Sequence, residues 1–162
     1  MTPGDSPPPP PAAAAAFAAL DPGRSKCGLV RCDAAGREIL SAGVLDPESC
    51  WQQLQQWREQ GLVVAVVLGN GTGSSQWQRR LTDLTLPVLL VDEAGTTLAA
   101  RQRYWQLEPP SGWRRLLPQG LRLPPRDVDD VVAQLLLERH LQRPLRRSRT
   151  QWLPRIRTSP AP

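Results

Sequence analysis

Acidic residues recur where this chain changes direction. Asp21 follows the apolar run 17–20 and precedes Pro22-Gly23, Asp92-Glu93 closes the apolar run 87–91, and Asp127, Asp129 and Asp130 open the last apolar helical pattern. A carboxylate at a strand end lies at a sheet edge, free to meet others, instead of within a sheet face. Three carboxylates within about 4 Å of one another repel by roughly 4 kcal/mol per pair at an effective dielectric of about 20. They need cations, and Mg²⁺ or Mn²⁺ suits the oxygens of Asp and Glu. Two such ions activate a water and stabilise the leaving oxygen in phosphodiester cleavage, so hydrolysis of nucleic acid is the chemistry suggested. The plainer alternative is that Asp21-Pro22-Gly23 only makes a hairpin turn, for which the tripeptide is well suited.

The intervening sequence supplies elements to hold these residues. Residues 17–20, 27–33 and 37–45 read as three strands joined by short turns, hence an antiparallel meander. Asp46-Pro47 starts a helix as N-cap and first helical residue, with Trp51, Leu54 and Trp57 on one face and an end at Gly61. Residues 62–68 are apolar without alternation, as expected of a strand covered on both faces of a parallel sheet. A helix over 75–83, a buried strand over 87–91 and a helix over 96–106 follow; a Pro-rich connection with Trp113 and Leu116-Leu117 then leads to a helix over 128–141. The order predicts an α/β fold: a five-stranded mixed sheet, with strands 1–3 an antiparallel meander and strands 4 and 5 parallel, flanked by helices. Sites in such sheets form beyond the carboxyl ends of parallel strands, which brings Asp21, Gly69-Asn70 and Asp92-Glu93 together. On the last helix Val128, Val131, Val132 and Leu135 define the buried stripe. Helical phase then places Asp129 at its border toward the sheet, Asp130 on the solvated side, and Asp127 before the helix as N-cap.

Composition bounds the remainder. Residues 1–15 form a Pro/Ala-rich leader expected to be disordered, 16–142 one domain, and 143–162 an Arg/Pro-rich C-terminal tail. Basic residues exceed acidic ones by 20 to 15, yet Arg143, Arg146, Arg147, Arg149, Arg155 and Arg157 all follow the last helix, and without them the body is close to neutral. The tail is therefore the first candidate for phosphate contact. Cys27, Cys32 and Cys50 form no CxxC pair, which excludes a disulfide framework or a zinc site as the organising principle. No segment approaches the roughly 20 apolar residues of a membrane span, and the expectation is a soluble cytoplasmic protein with no membrane partner.

Four short motifs in order carry a resemblance: Leu20-Asp21-Pro22-Gly23 through Gly28, Val67-Leu68-Gly69-Asn70-Gly71-Thr72, Val91-Asp92-Glu93-Ala94-Gly95-Thr96-Thr97, and Val128-Asp129-Asp130 through Leu137-Glu138. Together they resemble the YqgF/RuvX family of the RNase H-like superfamily, which includes the crossover-junction resolvases, across about residues 17–141. The resemblance implies an RNase H-like fold and a Mg²⁺- or Mn²⁺-dependent nuclease acting on precursor ribosomal RNA or branched DNA. It assigns Asp21, Glu93 and Asp129 as catalytic metal ligands. Arg24, Lys26, Asn70, Thr72, Thr96 and Thr97 stand beside them as expected substrate-binding residues. Ala94 departs from the family's usual arginine after Asp-Glu, and the loop 69–73 lacks its usual Leu-Pro pair.

Two other functions compete. A catalytically weak nucleic-acid-binding module would bind mainly through the arginine tail, and an adaptor would recruit proteins through leader and tail. His140 falls late in the last helix, where a cation suits the dipole. Trp51 and Trp57 are expected in the core; Trp77, Trp105, Trp113 and Trp152 are open between packing and base stacking.

Overall fold

β1 (Ala16–Asp21) is the central strand, paired antiparallel with β2 (Cys27–Cys32) and parallel with β4 (Val63–Gly69). The computed structural model describes residues 16–154, so the leader and the last eight residues lie outside the described residues. β3 (Ile39–Leu45) extends the meander antiparallel to β2, and β5 (Val88–Val91) runs parallel to β4. The mixed sheet with an antiparallel meander and parallel fourth and fifth strands is as expected, but its strand count is not. A sixth strand, β6 (Gln151–Trp152), pairs parallel with β3 and gives the order β5-β4-β1-β2-β3-β6. Two residues carry no alternation to read, which is why the sequence predicts five strands.

Helices cover both faces. α1 (Pro47–Glu59) begins as expected: the Asp46 side chain accepts from the Ser49 N–H at 2.9 Å, and Pro47 occupies the first turn, where no N–H is missed. With α2 (Ser74–Asp83) it buries Leu20, Leu29, Leu68, Leu54, Trp57 and Trp77 on one face of the sheet. α4 (Asp129–Leu141) packs on the other face, over Ala19, Val30, Ile39 and Val67. α3 (Thr96–Leu107) packs in turn on α4 through Ala100 and Tyr104 against Val131 and Val132. Because α4 is covered by the sheet on one side and by α3 on another, most of its circumference is buried, including Asp130 and Gln134.

The segment after α4 returns to the body. Leu145 is fully buried against the α4 side of the sheet, and the Leu145 carbonyl accepts from Arg103 at 2.9 Å and from Gln134 at 3.1 Å. Arg147 reaches Asp130 at 2.7 Å, so one of the tail's expected phosphate-contacting cations is engaged internally. The three cysteines are buried thiols, and no helix among the described residues is long and apolar enough to cross a membrane.

Candidate active site

Side-chain alternation sends Asp21 toward α4. Successive strand residues point to opposite faces; Ala19 belongs to the cluster under α4 and Leu20 to the opposite one, so Asp21 shares the α4 face. Across the ladder Asp21 pairs with Gly28. A β-carbon at Gly28 would collide with the main chain at Asp129 and Asp130, so glycine here lets the first turn of α4 descend onto the sheet beside Asp21. Asp129 is half-buried at that turn.

The turn after β5 brings the third carboxylate. Glu93 lies over the end of β4, its Oε2 close to where a β-carbon of Gly69 would be, and beside Leu136 of α4. Several bonds fix its main chain: the Asn70 side chain accepts from the Glu93 N–H at 3.2 Å, and the Thr96 hydroxyl donates to the Glu93 carbonyl at 2.7 Å. Arg139 of α4 donates to the carbonyls of Asp92 at 2.6 Å and Ala94 at 3.1 Å, clasping the turn from both sides. The structure also separates the two acids at this position. Asp92 uses its carboxylate within the turn, accepting from the Ala94 N–H at 3.0 Å. No side-chain hydrogen bond engages the Glu93 carboxylate among the described residues.

Electrostatics ties the three together. The Asp21 carboxyl is raised from 3.8 to about 7, first by burial and then by the negative charges of Asp129 and Glu93. Asp129 is also raised, mainly by burial, with Asp127 and Asp130 adding repulsion and Lys26 opposing it. Burial and the repulsion from Asp129 and Glu93 favour the protonated form of Asp21. Among the described residues no ion pair reaches any of the three.

The donor set suits a hard divalent cation: carboxylate oxygens that no ion pair among the described residues engages, one of them with its affinity for a proton raised. As the side chains stand, no group of three or more His, Cys, Asp or Glu among the described residues is gathered so as to hold a metal ion. Joint ligation by Asp21, Glu93 and Asp129 is therefore not formed by the side chains as they stand.

The expected substrate-side residues divide. Thr96 is buried and its hydroxyl is engaged by the Glu93 carbonyl, which makes it a support of the turn. Lys26 pairs with Asp127 at 2.6 Å on the surface beside α4. Arg24 and Thr72 line a cavity of about 310 Å³ next to Pro22-Gly23, to which Trp77 and Arg80 of α2 also contribute. Asn70 is exposed beside Glu93, and Thr97 is exposed at the start of α3. His140 stacks edge-on against Phe17 at 5.3 Å.

Two readings of α4 need correction. Its N-cap is Val128, with no side-chain cap, so Asp127 does not cap the helix. Asp130, expected on the solvated side, is fully buried and bonded by Arg126 and Arg147, each at 2.7 Å. Arg139 and the Asp130 pair are the supporting residues that helical phase missed, because their partners come from distant segments.

No protein-family model matches the chain. A Coxiella burnetii (strain CbuK_Q154) protein named "Putative pre-16S rRNA nuclease" is 33% identical over 115 residues, covering 64% of this chain and 72% of that protein. A protein of the same name from Sulfurovum sp. (strain NBC37-1) is 26% identical over 140 residues, 77% of this chain and 97% of that one. Among solved structures, T. thermophilus RuvC in complex with Holliday junction substrate aligns with a TM-score of 0.45 at 15% identity, over 78% of this chain and 96% of that chain.

Proposed function

The chain belongs to the YqgF family of RNase H-like proteins, to judge by relatives named "Putative pre-16S rRNA nuclease", and on that premise we propose that it is a metal-dependent nuclease. Its substrate is structured nucleic acid, either a ribosomal RNA precursor or a branched DNA junction. The observation that carries this reading is the Asp21 carboxyl, held at the carboxyl end of β1 with its pKa raised to about 7 by burial and by Asp129 and Glu93.

Asp21, Glu93 and Asp129 would hold Mg²⁺ or Mn²⁺. Such an ion supplies an activated water and stabilises the oxygen that leaves phosphorus. The chain's own residues perform the positioning. Gly28 admits the first turn of α4 to the sheet, Asn70 and Thr96 fix the Glu93 main chain, and Arg139 clasps the turn that carries it. Arg24 and Thr72, lining the cavity beside Pro22-Gly23, would meet approaching phosphates on one side, and Lys26, paired with Asp127 beside α4, would do so on the other.

The test is a cleavage screen of the full chain over ribosomal RNA precursors and four-way DNA junctions, with and without Mn²⁺. Cleavage of either substrate that needs the cation supports the proposal. Binding without turnover under all conditions would point to a nucleic-acid-binding module instead.

A further inference from the structure

A groove leads away from Asp129. It consists of three adjoining cavities of about 360, 200 and 310 Å³, the first two between α3 and the connection to α4 and the third within that connection. The first is lined by Asp129 and Arg101; Arg101 and Leu123 also line the second, and Arg122 and Leu123 line both the second and the third, which ends at Trp113. On α3, Leu98, Arg101, Gln102 and Trp105 recur at helical spacing and form one wall. The connection's two short 3₁₀ turns, Gly112–Leu116 and Gln119–Leu121, form the other.

The lining is apolar, aromatic and cationic at once. Trp113 is 64% exposed, Leu121 66% and Leu123 64%, a clustering of large apolar side chains that soluble surfaces rarely carry without a partner. Residues 109–126 contain four arginines and no acid. Arg126 is bonded to Glu108 and Asp130, and Arg122 donates to the carbonyls of Leu117 and Arg115. Arg101 and Arg115 are exposed and join no ion pair among the described residues, while the Arg114 guanidinium lies 5.2 Å from the Trp113 ring. Acid enters the groove only at its inner end, through Asp127 and Asp129.

We propose that this groove carries a single-stranded polynucleotide segment between the carboxylates and Trp113. Phosphates meet Arg101 and the arginines of the connection, and a base stacks on Trp113. Uncompensated arginines select a polyanion, an exposed indole offers the face on which bases stack, and continuity with Asp129 gives the strand a route to the reacting centre. The inference rests on the nuclease reading, since it takes the Asp129 end of the groove as the place of reaction.

Binding is read without turnover, in EDTA, by titrating the full chain with twelve-nucleotide oligo(U) and oligo(dT) and following tryptophan fluorescence. Addition of oligonucleotide to the native chain quenches the emission, and Trp113→Phe loses that part of the quench. Arg101→Ala lowers the slope of log affinity against log salt by about 0.7, the contribution of one single-strand phosphate. Trp113→Ala weakens binding by about tenfold, as loss of one stacked base requires. Both side chains are exposed, and unchanged melting midpoints verify that the variants are folded. Weakening in either arm supports the groove, and the arm that weakens identifies RNA or DNA as the source of the strand. Affinity, quench and salt slope all unchanged in the variants would overturn it. Retained Mn²⁺-dependent cleavage alongside unchanged binding would overturn the groove while leaving the nuclease reading intact.

Discussion

The Glu93 carboxylate lies against Gly71, leaving no space for a β-carbon there. The obstructing atoms are the end of a flexible side chain, so an added methyl displaces Glu93 and leaves the main chain in place. Gly71→Ala is therefore expected to lower Mn²⁺-dependent cleavage by at least about tenfold, the scale seen when a ligand's support is disturbed. Its urea midpoint stays close to the native one. Steady-state cleavage and denaturation of one preparation check both halves.

Gly28 makes the opposite case. There a β-carbon meets the main chain at Asp129 and Asp130, which cannot swing aside without moving the start of α4. Gly28→Ala should destabilise the fold by about 1–3 kcal/mol, the range for forcing extra volume into a packed site. Chemical denaturation measures it, and a midpoint equal to the native one would show that α4 does not seat on β2 as described.

Asp130 anchors the returning C-terminal segment. Its two oxygens each accept from an arginine at 2.7 Å, Arg126 before the helix and Arg147 beyond it. Removing one partner of a buried pair leaves uncompensated charge, so Asp130→Ala should cost about 3–5 kcal/mol. Limited proteolysis should then open the segment after Leu141 first. Equal cleavage rates across that segment in the native chain and the variant would contradict this role.

Much of this arrangement is legible in the sequence. The apolar runs that become β1, β4 and β5 end at Asp21, Gly69 and Asp92-Glu93, and strand order alone gathers those ends. Helical phase singles out Asp129. What escapes is long-range polar pairing: Asp130 sits opposite the apolar stripe, and its interior position goes with Arg126 and with Arg147, the latter seventeen residues away. Likewise Gln151-Trp152 joins the sheet because Leu145 and Arg147 have already brought the chain back to β3, a cause that no local period records. Glu93 is singled out over Asp92 by the resemblance, and the structure adds the local bond from the Ala94 N–H to the Asp92 side chain.

Stability should follow the Asp21 proton. Its folded pKa of about 7 lies above the ordinary 3.8, so the folded state binds the proton more tightly than the unfolded chain. The associated stabilisation is complete below about 3.8, declines as pH rises, and is lost above about 7. Three pKa units set a ceiling of about 4 kcal/mol, and partial exposure reduces the expected value to about 2. Metal-free Asp21→Asn should accordingly gain roughly that much over the native chain at pH 8 and little at pH 4. Urea titrations of both proteins at the two pH values, in EDTA, measure the difference.

The central claim is that Asp21, Glu93 and Asp129 act together on a phosphodiester through a bound cation. It is tested most directly by the Mn²⁺-dependent cleavage rate of pure Asp21→Asn, on whichever structured RNA or junction the native chain cuts. The account predicts a loss of at least about a thousandfold, as for removal of an essential group, with an unchanged circular dichroism spectrum. Cleavage by the folded variant at the native rate would contradict it.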